Sequence, residues 1–216
     1  GQRERALPLV GVAATFPQYR GRNAEIVSLY ERIAGCFRRS MNGTPPPEDH
    51  PVALALVAYI SWISRGQPMG VRPDWLGQNR LPEEARIAMA DLDPERGERL
   101  YGQQCAACHG PDGQGVALPQ GRPGPLWGPR SWNDGAGAAR PWTLAGFIRW
   151  AMPLTAPGSL SDRDAQDIAA WINSHERPEF PTRAADYPAG GRPGDAVYDT
   201  LVFPVHPFRG VDRPHP

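Results

Sequence analysis

Lysine is absent from this chain. All 23 basic residues are arginine, and they balance 23 acidic ones, so the formal net charge is zero. A neutral chain has no bulk field with which to attract nucleic acid or an anionic membrane, so its partners must be sought through particular sites. Long apolar runs are missing too. The longest, residues 52–63, is interrupted by Ser61 and falls well short of the roughly 20 residues that a membrane span requires. Cysteine is scarce, with three in 216 residues, which excludes a disulfide scaffold. No methionine, basic stretch or apolar stretch opens the chain ahead of Gly1, and the expectation is that a secretory signal has been removed.

Proline and glycine are plentiful, with 26 and 24 residues. Trp, Leu, Ile and Val nevertheless recur in patterned blocks, so the expected state is loop-rich and globular. Two of the three cysteines stand in Cys105-Ala106-Ala107-Cys108-His109. Two thiols separated by two residues can add across the vinyl groups of a haem while the adjoining imidazole ligates its iron, and this spacing reads as a c-type haem attachment site. A zinc site would need a second Cys/His pair, and a redox disulfide a thioredoxin-like βαβ pattern. The chain supplies neither. His109 is thus the expected proximal ligand. Met152, which follows a helical stretch and precedes Pro153, is the expected sixth ligand, because the proline stops the helix and leaves the methionine on a loop. A His/Met pair raises the reduction potential and suits electron transfer. Trp127, Trp132 and Trp142 are read as core aromatics, and Cys36 is left without a partner.

The periodicity predicts a first helix capped by Asn23, with Ile26, Leu29, Tyr30, Ile33, Cys36 and Phe37 on one apolar face and Cys36 pointing inward. Arg38 and Arg39 are expected to be solvated. A second helix is predicted over residues 52–64, behind Asp49, His50 and Pro51. Residues 65–92 read as a linker with one short turn near residues 83–90. Asp93 and Pro94 open the helix that delivers the haem motif, and residues 110–137 form a long Gly/Pro-dense loop, of the kind a compact unit tolerates when it wraps something. A short helix over residues 142–150 follows, then a last one opened by Ser161 and Asp164 in a capping box. From Pro178 onward the proline spacing predicts an extended strap, docked where Tyr187, Tyr198 or Phe203 pack.

Gly124-Pro125-Leu126-Trp127-Gly128 resembles the Gly-Pro-x-Leu-x-Gly segment of class I cytochromes c. That resemblance implies that the Pro125 carbonyl accepts from the ring N–H of His109, fixing its tautomer. A sharper likeness runs through residues 6–11, 16–22 and 32–43, then through Cys105 to His109, Ser131 to Gly137, Met152 to Leu154 and Ala170 to Ser174. These segments resemble the dihaem thiosulfate dehydrogenases. The resemblance implies an all-α fold of two tandem class I cytochrome c-like domains: a degenerate or truncated one at residues 1–80, a haem c-binding one at 91–177, and an extended tail at 178–216. It further implies that Cys36 is an axial ligand of a second haem, and that Arg22, Arg32 and Ser40 line a pocket for thiosulfate. A dianion needs arginine forks to neutralise it and a hydroxyl to orient it.

Two departures from the family bear on that expectation. Its first C-x-x-C-H should precede the Ala6-Leu7-Pro8 block, and none does in this sequence; either the chain begins just after it or the first haem has been lost. Ala151 stands where some members place a lysine beside the axial methionine. The expected protein is a periplasmic electron-transfer cytochrome with another cytochrome or redox protein as partner. It is a thiosulfate-oxidising enzyme if the first haem exists, and a non-enzymatic subunit of a larger membrane redox assembly if it does not.

Overall fold

The computed structural model describes Arg5 and residues 7–198. Phe203 and the rest of the predicted strap beyond 198 lie outside the described residues. The architecture is helical, as expected, with one small two-stranded hairpin.

That hairpin is the first departure from the expected pattern. Strands β1 (Gln18–Arg20) and β2 (Glu25–Val27) pair antiparallel with Tyr19 opposite Ile26. The link between them passes through Ala24 at φ 54°. Residues read as the start of a helix are therefore strand, and Asn23 caps nothing. The helix α1 (Leu29–Gly35) begins instead at Ser28, whose hydroxyl accepts from the Glu31 N–H while the Glu31 carboxylate accepts from the Ser28 N–H. Two orphan N–H groups are satisfied at that point and none at Asn23, which decides the start. Ile26 consequently lies on the surface, 71 % exposed.

Helix α1 runs into a π-helical turn, Cys36–Ser40, closed by Met41 N–H to Cys36 O at 3.0 Å. Helix α2 (Pro51–Ile63) starts where the sequence indicated, with His50 Nδ1 accepting from Val52 N–H at 3.2 Å and Pro51 in the first turn. Ala53 and Ile60 are its buried residues, whereas Val52, Leu54, Tyr59 and Trp62 are exposed.

The linker crosses with only short 3-10 turns. Helix α3 (Pro94–Gln104) then opens on the Asp93 cap, which accepts from Arg96 N–H at 2.9 Å. The short helix α4 (Ala106–His109) carries the cysteine motif, and α5 (Pro141–Ala151) and α6 (Asp162–Asn173) complete the helical set. The Ser161/Asp164 capping box is present as read. Helices α3 and α6 cross at Gly97, where a Cβ would sit 2.0 Å from the Asp167 carbonyl oxygen. Only hydrogen fits there. Around that crossing Leu81, Tyr101, Leu144, Ala145, Ile148, Leu160, Ala165, Ile168, Ala169 and Ile172 form one buried core.

Beyond α6 the strap runs back over the molecule, broken by one 3-10 turn at Arg183–Ala185. It is pinned by buried side chains, Phe180, Asp186, Tyr187, Asp195 and Tyr198. Asp195 holds Arg140 and the Trp142 N–H, while Asp186 takes both ends of Arg39. Arg39, expected in solvent, is thus a strap anchor with its guanidinium over the Phe180 ring at 3.9 Å; Arg38 is exposed as expected.

Candidate functional site

The cysteine motif is presented by a break in the helix. Cys105 ends α3, with its N–H on Tyr101 O at 2.9 Å, and its own carbonyl accepts from both Cys108 and His109. Gly110, at φ 76°, turns the chain out of α4. The wrapping loop is then tied back by Gly115 N–H to His109 O at 2.7 Å and Val116 N–H to Cys108 O at 2.9 Å. Buried Tyr101 donates to Gly110 O at 2.7 Å and fixes the motif to the core. Cys105, Cys108, His109 and Met152 are all half-buried. Cys105, Ala106, Leu126, Trp127, Trp132 and Met152 pack against the same core cluster. Burial pushes the Cys105 thiol up to about 11 and holds the His109 imidazole below its usual value. Met152 donates its N–H to Ile148 O as the last act of α5 and is itself extended, φ −122° and ψ 154°, so it stands on a loop.

The residues present fit a haem. His109 Nδ1 and the indole Nε1 atoms of Trp132 and Trp150 are buried polar atoms without a partner among the described residues. A haem brings an iron and two carboxylates into such a setting, and buried donors are seldom left unpaired. The Pro125 carbonyl is not hydrogen-bonded to His109 here; Pro125 lines a surface cleft of about 220 Å³ with Gln114, Arg122 and Arg130. Trp142 is tied to the Ile87 carbonyl at 2.9 Å, and Trp127 stacks on His175 at 4.1 Å.

The second constellation lies in the N-terminal part. Arg32 Nη1 donates to Cys36 Sγ at 2.9 Å, one helical turn along α1. Cys36, where α1 passes into the π-helical turn, is half-buried rather than fully inward. Ser40, at the far end of that turn, is exposed. Arg22 is engaged elsewhere: Nε and Nη2 donate to the Tyr187 hydroxyl at 3.0 and 2.9 Å, and Nη1 donates to the Gly135 carbonyl at 2.7 Å. The structure therefore joins Arg32 to Cys36 and ties Arg22 into the strap.

Arg20, which the sequence reading missed, completes the cluster. It is half-buried on β1, and its side chain makes no hydrogen bond or ion pair among the described residues. Burial first, then Arg32, Arg22 and Arg80 hold its guanidinium below the usual arginine range. Its place two residues before Arg22 was the available signal, but only the fold brings Arg22, Arg32 and Arg80 near enough to act on its charge. Asp186 lies 3.7 Å from Arg22, whereas the Arg20 guanidinium has no carboxylate in contact among the described residues, and an unpaired guanidinium is what a small anion neutralises.

Residues 2–69 match the SoxA/TsdA cytochrome c domain family, and residues 92–172 the family of cytochrome c oxidase, cbb3-type, subunit III. Thiosulfate dehydrogenase of Allochromatium vinosum is 44 % identical over 189 residues, which are 86 % of this chain and 68 % of that protein. The chain belongs to the thiosulfate dehydrogenase family. Thiosulfate dehydrogenase of Stutzerimonas stutzeri is also 44 % identical, over 84 % of this chain and 58 % of its own length. The solved thiosulfate dehydrogenase TsdBA from Marichromatium purpuratum, in its as-isolated form, superposes with a TM-score of 0.71 at 41 % identity, over 83 % of this chain and 39 % of that one. This member of the thiosulfate dehydrogenase family is a c-type cytochrome carrying covalently bound haem c. No helix among the described residues is long and apolar enough to cross a membrane.

Proposed function

We propose that this protein oxidises thiosulfate in the periplasm and passes the electrons to another cytochrome. The reading divides the chain into a substrate-binding cytochrome domain at 1–80, an electron-transfer domain at 91–177 and a strap from 178. Cys105 and Cys108 hold the porphyrin of the second domain, and His109 and Met152 ligate its iron. Held there, a haem would supply one-electron redox chemistry, and ligation by His109 and Met152 would raise its potential. Two thiosulfate dianions lose one electron each and join through a new sulfur–sulfur bond, giving tetrathionate.

The observation that carries this reading is the Arg32–Cys36 contact beside the uncompensated Arg20. Cysteine sulfur is a metal ligand, and Arg32 Nη1 lies 2.9 Å from Cys36 Sγ. On this reading Cys36 would supply a sulfur to hold the iron of a second haem. Arg20 and Arg32 neutralise the substrate, Ser40 orients it, and Arg22 holds the wall of the pocket through Tyr187. The identity to thiosulfate dehydrogenases supports it, and so does the apolar face of α2, of the kind a further part of a cytochrome unit covers.

That same face favours a second reading, in which the N-terminal part is a docking surface of a non-enzymatic subunit in a larger redox assembly. Two measurements on the full-length protein separate them. Haem stoichiometry by pyridine haemochrome should give two haems, and thiosulfate with a one-electron acceptor should give tetrathionate. One haem and no tetrathionate would retire the enzymatic reading.

A further inference from the structure

Residues 65–92 cross from the N-terminal part to the unit that carries the haem motif, and both ends of the crossing are pinned. Gly70 N–H donates to Ala14 O at 2.8 Å and the Trp75 indole to Val10 O at 3.0 Å, while Leu81 is buried in the core and the Ile87 N–H donates to Gln166 at 2.9 Å. Between the pins the chain turns tightly, with Leu76 N–H on Pro73 O and Arg80 N–H on Gly77 O, each at 3.0 Å. Gly77 stands at φ 91°. Two guanidinium groups converge over it: a Cβ placed on Gly77 would stand 2.7 Å from Arg72 Nη2 and 3.5 Å from Arg80 Nε. Glycine leaves that space open.

Neither arginine is answered by an acid. Arg72 Nη2 donates to the Leu76 carbonyl at 2.8 Å, the Arg80 side chain donates to nothing, and neither touches a carboxylate among the described residues. Asp74, Glu83 and Glu84, the acids nearest in sequence, make no ion pair among those residues either. The charges that bear on Arg80 are all positive. Partial desolvation, then Arg72, Arg140 and Arg86, hold its guanidinium below the usual arginine range, and Arg80 in turn bears on Arg20, the unpaired neighbour of Arg32. Asp195 answers Arg140, but no carboxylate answers Arg72, Arg80 or Arg20. Two guanidinium forks that face one point suit an anion with several oxygens and more than one charge. In a chain whose formal net charge is zero, a run of cations from Arg72 through Arg80 to Arg20 is a local positive field, which captures small anions and directs them along it.

We propose that Arg72 and Arg80 form an outer seat for a small oxyanion dianion, at which thiosulfate is first held before it passes to Arg20 and Arg32. The inference rests on the reading that the Cys36 region binds thiosulfate. The outer seat acts on capture: it raises the rate at which substrate arrives and leaves turnover at saturation untouched.

Two measurements on the full-length holoprotein test it. In the first, sulfate, a dianion of similar shape that cannot be oxidised further, is titrated in against chloride at constant ionic strength while the arginine Nε–H resonances are followed. Sulfate should shift the Arg72 and Arg80 signals saturably and chloride should not, and in Arg80→Gln the response at Arg72 should weaken. An equal response to both anions, or none, would overturn the seat. In the second, kcat/KM for thiosulfate is measured against ionic strength. Arg80→Gln should lower it about threefold at low salt with kcat retained, and the gap should close toward about 0.15 M, where the Debye length is about 8 Å. A merely structural Arg80 would lower thermal stability and leave a change in kcat/KM that is the same at every salt concentration, or none, which would overturn the proposal. If Arg80→Gln does not fold, Arg72→Gln is read in the same way. Absence of tetrathionate from the wild type, with sulfate still shifting both arginine signals, would show that the underlying reading had failed and the anion seat had not.

Discussion

Arg39 and Asp186, 147 positions apart in sequence, meet in a two-point ion pair, Nη2 to Oδ1 at 2.6 Å and Nη1 to Oδ2 at 2.7 Å. The pair joins the π-helical turn after α1 to the C-terminal strap. Arg39 also donates to Gly135 O at 3.2 Å, as Arg22 does at 2.7 Å, so one carbonyl of the central loop is gripped by two arginines of the N-terminal part. Asp186 and Tyr187 of the strap close the same knot. Their side chains hold the Cys36 region against the region that carries the haem motif.

Removing the carboxylate from this knot leaves a largely buried Arg39 with no counter-charge. Asp186→Ala should therefore destabilise the protein by about 3 kcal/mol, the usual scale for breaking a buried pair on one side. Denaturant unfolding of the holoprotein measures it, and a loss under about 1 kcal/mol would mean the pair is solvated and dispensable.

Gly97 carries the closest helix crossing in the core. Gly97→Ala forces α3 and α6 apart, because the new methyl meets backbone rather than a movable side chain. A loss of about 3 kcal/mol or more is expected. Wild-type thermal stability in this variant would show that the helices have slack at that point.

Met152→Ala should abolish the weak far-red absorption of a sulfur–iron bond in the oxidised protein and lower the midpoint potential, while haem stays covalently attached. Survival of that absorption in the variant would remove Met152 from the ligand set.

Cys36→Gly is expected to leave the haem spectrum of the Cys105 to His109 region unchanged and to reduce tetrathionate formation to background. Arg32→Ala should chiefly raise KM for thiosulfate, by about tenfold for one lost charge-assisted contact of roughly 1.5 kcal/mol. Full activity in Cys36→Gly would dispose of a role for that sulfur.

Acid should act at the start of α6. Burial pushes the Asp164 carboxyl up, but hydrogen bonds from Ser161 and Arg96 outweigh it, leaving the group below its ordinary value of 3.8. A carboxyl with a lowered folded value contributes stability above its unfolded value and loses it as pH falls through the folded one. Stability measured from pH 5 downward should therefore fall less steeply in Asp164→Asn than in the wild type. Identical slopes would show that Asp164 is not linked to folding.

Local chemistry wrote much of this structure into the sequence. Pro51, Asp93 with Pro94, and Ser161 with Asp164 mark helix starts whose N–H groups are satisfied within three or four residues, so no distant contact was needed to place them. The haem motif is equally local, since Cys105, Cys108 and His109 need only one turn of backbone to stand together. Tertiary structure decided the rest. The hairpin overrode the helical spacing of Ile26, because cross-strand hydrogen bonds and the Ser28 cap are worth more together than one apolar side chain at helical register. Arg39 looked like surface charge until the strap brought Asp186 to it, and Arg20 looked like any other arginine. A guanidinium is the same group in solvent, in an ion pair or beside other cations. What differs is the water and the charge around it, and those are set by residues far away in the chain.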